Sequence, residues 1–428
     1  MTLQVDNLTS EGLGVALRGR EVYFVPGALP GETVEVQLSQ RRKKVCYTEL
    51  KRVIEPSPHR IEPECPHFNR CGGCQLQHLS YEQQVPVKQA RVQREFTRVG
   101  VEVEDWQPAL TSSSWHYRRK ARIGVRYSKE KQRVYIGFRE AGSQHLSDID
   151  ACPVLIQHPM LDWSRWRHFL SQWPRRAELT QIEVLQADNA LALTLRLLKP
   201  LDTDSEQQLR AFTDTQTNVL PVQWWLKYDK HTAPEPLQDD YPVLQHSVDG
   251  HPLRLQPDDF IQVNRDINIA MVAQAMDWLQ PRTGETIADL FAGHGNFSMA
   301  LARRGSNVVA VEGQAEMVSS LQQQAHLSDL TIEAQMADLS ELSSLADLPR
   351  CDAVLLDPPR AGADVVIKHL LDNPVQRILY VACDAATLSR DFGSLVAGGY
   401  RVTRAGIMDM FPHTHHVETM VLLTRVGK

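Results

Sequence analysis

A cysteine and a glutamate near the C-terminus have the residue types that nucleophilic catalysis requires. Residues 378–382 are apolar and predict a buried strand, and Cys383 follows that strand directly. In an open α/β sheet the ligand crevice lies beyond the carboxyl ends of the strands, which predicts that this thiol faces a site. Its thiolate would be a nucleophile. The alternative is a buried structural cysteine, which is the commoner role of a single thiol.

Glu418 is the candidate base that would accompany such a nucleophile. It follows the histidine-rich residues 413–416 and begins a predicted final strand. A carboxylate close to a reacting thiol can take up the proton that the reaction releases. The histidines themselves are best interpreted as a polar loop, and metal binding is the less favoured alternative.

A glycine-containing turn indicates a cofactor site in the same part of the chain. Residues 288–297 join a predicted strand to a predicted helix, and Gly293 and Gly295 allow a ligand to approach the backbone closely. Because the pattern is not a complete G-x-G-x-x-G, a dinucleotide is disfavoured. The alternative is an ordinary turn with helix caps. The cofactor interpretation is favoured because acidic residues fall at successive strand ends, which suits a cationic, adenosine-bearing ligand: Asp289, Glu312, Asp338 and Asp357.

The tetrad Asp357-Pro-Pro-Arg360 ends the fourth predicted strand of this region. Enzymes that methylate exocyclic amines carry a similar tetrad that ends in an aromatic residue. Arg360 stands in that place here, which argues against amine methylation. Two prolines would also explain a simple strand-ending turn.

Four of the seven cysteines form a candidate metal site: Cys65, Cys71, Cys74 and Cys152. An odd number of cysteines without a secretory signal argues for metal binding or catalysis, and against a disulfide framework. Four thiolates hold either tetrahedral zinc or an iron–sulfur cluster. Their spacing alone favours zinc.

Length and composition predict a cytosolic protein of several domains. The 428 residues, 42% of them hydrophobic, contain no apolar run of membrane-spanning length. Short alternating runs predict a small β-barrel at 1–56, and a mixed, mostly β domain is expected at 57–255. Alternating strands and helices predict an α/β domain with a parallel sheet at 256–428. The net charge of −6 disfavours nucleic acid, but residues 117–139 hold nine basic residues against one acid, interleaved with aromatics.

Several motifs resemble known RNA-modifying proteins. Residues 11–16 and 24–34 resemble the TRAM domain, an RNA-binding OB-like β-barrel. Residues 260–264, 289–297, 356–362, 380–387 and 409–418 resemble the RNA uracil-5-methyltransferase family. Together with the four cysteines, they resemble the branch of that family that methylates 23S ribosomal RNA and carries a [4Fe-4S] cluster. The C-terminal domain is then expected to be a class I, Rossmann-like methyltransferase.

The resemblance implies a role for each candidate residue. Cys383 would add to C6 of a uracil, which makes C5 nucleophilic toward the methyl group of S-adenosyl-L-methionine, and Glu418 would remove the C5 proton. The cysteines at 65, 71, 74 and 152 would hold the cluster. Arg122 and Phe260 would meet the RNA. The implied cofactor contacts are Gln262, Phe291, Asn296, Glu312, Asp338 and Asp357.

Two alternatives are kept. One is C5 methylation of transfer RNA, which is disfavoured because that branch generally lacks the barrel and the cysteines. The other is an RNA-binding protein with an inactive methyltransferase fold, which the intact set of candidate residues disfavours. We expect 23S ribosomal RNA as the partner, neither DNA nor membrane, and a cytoplasmic monomer.

Overall fold

The computed structural model describes residues 1–213 and 219–427. Within these residues the strands form sheets of six, seven and eight strands and one two-stranded ribbon. No helix of the described residues is both long and apolar enough to cross a bilayer. The three large sheets follow each other along the chain, except that one early strand, Val103–Trp106, belongs to the eight-stranded sheet.

The N-terminal sheet packs around a small apolar core that includes Val25, Val34 and Val36. Its strands are β1 (Thr2–Gln4), β2 (Asn7–Leu8), β3 (Gly14–Arg18), β4 (Glu21–Val25), β5 (Thr33–Arg42) and β6 (Val45–Glu55). They are ordered β1-β5-β6-β4-β3-β2. This pairing leaves β1 and β2 at the two ends of the order, so closure of the predicted small β-barrel is not shown among the described residues.

Two elements that precede the predicted boundary at residue 255 pack against the C-terminal part of the chain. They are α1 (Tyr81–Arg98) and β7 (Val103–Trp106). Strand β7 pairs in parallel with residues 402–405. On α1, the ring of Phe96 meets the ring of Phe392 edge-on, with 4.5 Å between their centroids. Strand β7 therefore joins the C-terminal sheet and α1 packs against the helix that carries Phe392, which their position in the sequence does not reveal.

The central region is mostly β, as predicted, and buries a cluster of tryptophans that includes Trp163, Trp166 and Trp224. Its sheet order is β10-β9-β8-β11-β12-β13-β14. The elements are β8 (Lys120–Ser128), β9 (Arg133–Arg139), β10 (Leu146–Asp148), α2 (Trp163–Gln172), β11 (Leu179–Gln186), β12 (Leu191–Leu197), α3 (Thr203–Ala211), β13 (Val222–Lys227) and β14 (Glu235–Pro236), followed by the ribbon β15 (Leu244–Val248) and β16 (His251–Leu255).

The C-terminal region alternates helices and strands, as expected for a helix-covered parallel sheet. Its elements are α4 (Arg265–Leu279), β17 (Thr286–Leu290), α5 (Ser298–Arg303), β18 (Asn307–Glu312), α6 (Ala315–Leu327), β19 (Ile332–Met336), β20 (Ala353–Leu356), α7 (Asp364–Asp372), β21 (Arg377–Ala382), α8 (Ala385–Ala397), β22 (Tyr400–Met408) and β23 (Glu418–Arg425). The strand order is β19-β18-β17-β20-β21-β23-β22-β7. Strands β17 to β21 pair in parallel, and β23 is antiparallel to β21.

The position of the last two strands decides the shape of the site. Strand β23 inserts between β21 and β22, and β7 covers the outer side of β22. All four residues of β20 and five of the six in β21 are buried. Buried runs of this kind are typical of parallel strands with helices on both faces. The carboxyl ends of these strands open onto one cavity.

Candidate active site

Cys383 and Glu418 stand at the same end of neighbouring strands. Strand β21 pairs with β23 in a register that ends at Ala382 opposite Thr419. One step further, Cys383 leaves β21 at the point where Glu418 starts β23. Directly opposed residues of an antiparallel pair lie about 5 Å apart. The sheet thus brings together the two residues that the sequence proposed as nucleophile and base.

The surroundings of Cys383 oppose ionisation of its thiol, with one exception. Burial raises the pKa of Cys383 to about 11, and the charges of Glu418 and Asp357 add to the rise. Arg360 lowers it, both by its positive charge and by a hydrogen bond to the thiol. The guanidinium of Arg360 also lies 3.3 Å from His416 Nδ1. Arg360 is therefore the residue in place to stabilise a thiolate at this position.

Glu418 is buried, with 8% of its surface exposed. Burial raises its pKa to about 8, the charge of Asp357 adds to the rise, and Arg360 opposes it. A carboxyl group with a pKa in this range can accept a proton near neutral pH, as a general base must. Perturbed groups that converge in a cleft are typical of a functional site.

The loop that carries Asp357 and Arg360 is fixed by helix α8, which begins two residues after the thiol. Thr387 Oγ1 donates to the carbonyl of Arg360 at 3.2 Å. The buried carboxylate of Asp391 accepts from the backbone of Ala363 at 2.8 Å and from Tyr380 at 2.7 Å. The nucleophile and the Asp-Pro-Pro-Arg turn thus form one connected unit.

The glycine-containing turn joins β17 to α5, as predicted, and brings the acids of two strands together. Glu312 accepts from the backbone of Gly293 at 3.0 Å and of Gln314 at 3.1 Å. Phe291 has a φ of +67°, which is strained for an aromatic residue and is often found at ligand sites. Burial raises the pKa of Asp289 and of Asp357 to about 7.

Asp289 is fully buried, and its Oδ1 has no hydrogen-bond partner among the described residues. A cation near the carboxyl groups of Asp289 and Asp357 would favour their ionised forms. Asp338, by contrast, is exposed, and its hydrogen bonds with Ser340 lower its pKa. The turn and its acids therefore fit a cationic ligand, with Asp338 at the rim.

The residues to which the resemblance assigned a role all line a single cavity of about 1600 Å³, whereas Asp289 is not part of its lining. Phe260 is 64% exposed on its wall, and the side chain of Arg122 is 62% exposed and lies 3.4 Å from Glu183. Exposed basic and aromatic side chains in the same cavity as a reactive thiol suit a nucleic-acid base that has left its stack.

The four cysteines share this cavity but are not arranged as a metal-ligand set. Burial raises the pKa of Cys74 to about 12 and that of Cys152 to about 11, and each thiol is influenced by the charges of the others. Among the described residues, no group of three or more His, Cys, Asp or Glu side chains is placed to hold a metal ion. Their residue type and common location fit a thiolate-bound centre, whereas their present positions do not form one.

Several contacts at the site were not predicted from the sequence. Asn268 and Asn296 exchange a reciprocal pair of amide hydrogen bonds, both of 3.0 Å. Arg119 donates to the carbonyl of Gln262 at 2.9 Å. His294 of the glycine turn lies 3.4 Å from Asp259. No local pattern marks these partners, because each contact joins elements that are distant in the sequence.

Sequence comparison relates the chain to two described families. The family described as tRNA (uracil-5-)-methyltransferase matches residues 80–426. The TRAM domain of tRNA (uracil(54)-C(5))-methyltransferase matches residues 1–59. Together the two matches span nearly the whole chain, and the first ends close to the end of the N-terminal sheet at Glu55.

Curated relatives are similar over their full length. A protein of Shewanella amazonensis named 23S rRNA (uracil(1939)-C(5))-methyltransferase RlmD is 40% identical over 430 residues, covering 100% of this chain and 96% of the relative. A protein of Pectobacterium atrosepticum with the same name is 39% identical and covers 99% of this chain and 93% of the relative.

A solved structure has the same architecture. The Pyrococcus abyssi tRNA (uracil-54, C5)-methyltransferase in complex with S-adenosyl-L-homocysteine is similar with a TM-score of 0.77, at 24% identity and with 99% of both chains covered. At this identity the likeness shows the fold alone, namely a methyltransferase fold that follows an N-terminal TRAM domain.

Proposed function

The chain belongs to the uracil-5-methyltransferase family, and from that premise we propose that it methylates C5 of a uridine in 23S ribosomal RNA. The names of its full-length relatives give uracil 1939 as the target. The observation that carries the proposal is the placement of Cys383 and Glu418 at the same end of β21 and β23, one step beyond the last paired residues. Transfer of a methyl group to this carbon needs both a nucleophile and a base.

Each of the two residues has one step to perform. Cys383 Sγ forms a bond to C6 of the uracil, which moves electron density to C5. After C5 has been methylated, Glu418 takes the C5 proton, the C5=C6 double bond re-forms, and the C6–S bond breaks to release the thiolate. Arg360 supports the first step by stabilising the thiolate, and burial of Glu418 supports the second by raising its proton affinity.

S-adenosyl-L-methionine would supply the electrophilic methyl group. We propose that Glu312 holds its ribose and that the positive charge lies near Asp289 and Asp357, whose raised pKa values fit a cationic partner. The strained Phe291 and the glycine turn leave the backbone open to the adenosine. The remaining contacts proposed are those of Gln262, Asn296 and Asp338.

Covalent trapping tests the proposal directly. RNA that contains 5-fluorouridine should form a stable adduct with the enzyme in the presence of the methyl donor, because fluorine cannot leave C5 as a proton does. Cys383→Ala should abolish the adduct, whereas Cys351→Ala, at a cysteine outside the cavity lining, should leave it unchanged. An adduct that survives Cys383→Ala would remove this residue from the mechanism.

The RNA substrate needs its own experiment, because transfer RNA is the alternative. Labelled methyl groups should pass to 23S ribosomal RNA from a strain that lacks the gene, and not to transfer RNA from the same strain. Primer extension or mass mapping would then locate the modified uridine. Labelling of transfer RNA alone would favour the alternative, and no labelling of either RNA would favour an inactive fold.

We also propose that Cys65, Cys71, Cys74 and Cys152 bind a [4Fe-4S] cluster. Their common place on the cavity wall supports this, and ligation would draw the sulfurs together. A backbone N–H of Gly73 already points at Cys71 Sγ over 3.4 Å, as donors do around cluster sulfurs. Anaerobically purified protein should contain about four iron and four sulfide per chain. Zinc in their place would refute the assignment.

The remaining proposals concern assembly and location. We propose that a monomer acts on RNA in the cytoplasm and that neither DNA nor a membrane is a partner. Light scattering should give the mass of a single chain of 48.5 kDa. A mass of twice this value would contradict the monomer.

A further inference from the structure

The loop that leads to Glu418 is held by buried hydrogen bonds from a distant part of the chain. We call residues 409–417 the catalytic loop and residues 71–76 the cysteine segment. The catalytic loop joins β22 to β23 and ends at the proposed base. The cysteine segment contains two of the four clustered thiols. The two segments lie more than 300 residues apart in the sequence, so their contact is a property of the tertiary structure alone.

The cysteine segment is hydrogen-bonded to the centre of the catalytic loop. The backbone N–H groups of Gln75 and Leu76 both donate to the carbonyl of His413, each over 2.9 Å. The side chain of Gln75 lies 3.2 Å from His415 Nδ1 and donates to the carbonyl of Gly72 over 2.8 Å. Because Gln75 directly follows Cys74, a shift of that cysteine is passed to His413 through a single peptide unit.

Gln84 on α1 joins the same two segments from the other side. It is fully buried, accepts from the backbone N–H of His413 over 2.8 Å and donates to the carbonyl of Leu76 over 3.1 Å. His413 has a φ of +65°, and its ring stacks on Trp115 with 3.8 Å between centroids. A strained backbone of this kind persists only where the surroundings fix it, so these bonds set the path of the catalytic loop.

We propose that the cysteine segment positions the base Glu418 through its hydrogen bonds to the backbone of His413 in the catalytic loop. Gln75 and Gln84 are the positioning residues. This rests on the proposed function, since it assigns the segment a part in that reaction. Cys383 is held differently. It follows β21, which lies between β20 and β23 inside the sheet. A displaced catalytic loop should therefore affect removal of the C5 proton more than the attack on C6.

The two steps can be measured separately. Turnover of ordinary uridine needs both steps, whereas trapping on 5-fluorouridine needs the thiolate but no removal of a C5 proton. We expect Gln84→Met and Gln75→Met, which keep side-chain length but lose the hydrogen bonds, to lower turnover by about tenfold or more, since a displacement of about 1 Å at a reacting group can cost that much. The rate of trapping should stay within about twofold of the wild type.

Gln83→Met is the matched control, because Gln83 is the neighbour of Gln84 on α1 and is less buried. It should leave both rates unchanged. All variants are compared as full-length, anaerobically purified protein with equal iron content. Loss of a metal centre is then not mistaken for a displacement of Glu418.

Two results would overturn the inference. Equal loss of turnover and trapping would assign Gln75 and Gln84 a general structural role. Unchanged turnover would show that the position of Glu418 does not depend on the hydrogen bonds to His413. If the wild type itself neither methylates nor forms the adduct, the proposed function fails instead, so the two failures are distinguishable.

Discussion

Removal of the Arg360 charge should make Cys383 less reactive, and the size of the effect follows from the site. Burial and the nearby carboxylates raise the pKa of this thiol to about 11, and Arg360 is the group that lowers it. Two unit charges about 4 Å apart interact by about 4 kcal/mol at an effective dielectric constant of about 20 and by about 1 kcal/mol in water. Because Arg360 is exposed to solvent, we take about 1.5 kcal/mol, which corresponds to about one pKa unit.

The substitution Arg360→Met should therefore raise the pKa of the Cys383 thiol by about one unit. Well below its pKa, the thiolate fraction falls about tenfold for each such unit, and alkylation follows the thiolate. The assay is iodoacetamide labelling of the free enzyme at pH 8, quantified by mass spectrometry of the peptide that contains each cysteine. Cys351 is the internal reference, because burial raises its pKa to about 11 as well and Arg360 does not contribute.

The expected result is a tenfold fall in the ratio of Cys383 to Cys351 labelling in Arg360→Met. Arg360→Lys should lower the ratio less, since the charge is kept and the planar hydrogen-bonding group is lost. Arg401→Met, at an exposed arginine paired with Glu104, should not change it. A ratio in Arg360→Met within twofold of the wild type would refute the argument that Arg360 stabilises the thiolate.

Three further outcomes are expected from the buried charges and one strained turn. Glu418→Gln should raise the free energy of unfolding by about 4 kcal/mol more at pH 9 than at pH 5, because a folded-state pKa raised from 4.5 to about 8 makes ionisation between those values oppose folding. Equal effects in urea titrations at both pH values would contradict this. Lys88→Met should lower the free energy of unfolding, measured in urea, by about 3–5 kcal/mol, because the buried Asp409, 2.6 Å away, loses its counter-charge. The added change Asp409→Asn should restore most of the lost free energy. Gly362→Ala should lower both the melting temperature and turnover, since φ is +85° and a Cβ would lie 2.3 Å from the side chain of Thr387 on α8. Gly19→Ala is the control, because φ there is +64° but the space is open. It should lower the melting temperature only through backbone strain and leave turnover intact.

Three acidic residues at the site have raised pKa values, and this electrostatic arrangement fits a cationic methyl donor. Asp289 and Glu418 are buried and Asp357 is partly buried, and the pKa values of all three carboxyls are raised. Arg360 is the cation that opposes the rise at the Cys383 thiol and at Glu418. Such an arrangement stabilises the protonated forms in the free enzyme. A cationic methyl donor would supply positive charge near these carboxyl groups. Its binding should therefore favour their ionised forms.

Local sequence patterns determined the strands, the helices and the candidate residues of the C-terminal region. Residues 378–382 lie in a buried strand as predicted, because a continuous apolar run between polar turns is typical of a strand inside a helix-covered sheet. The acids and Cys383 could be placed at strand ends for the same reason. The family could be recognised because its motifs keep their spacing within single turns.

Only the tertiary structure decided which of these residues meet. The order of strands depends on long-range packing, so the sequence could not place Glu418 opposite Cys383 by inserting β23 beside β21. Nor could it add β7 to the C-terminal sheet or pack α1 against α8. It also could not show that His413, predicted to lie in a polar loop, is buried and bonded to Gln75, Leu76 and Gln84. Periodicity reports the environment of a residue along its own strand or helix. The partner across the sheet is selected by the fold as a whole.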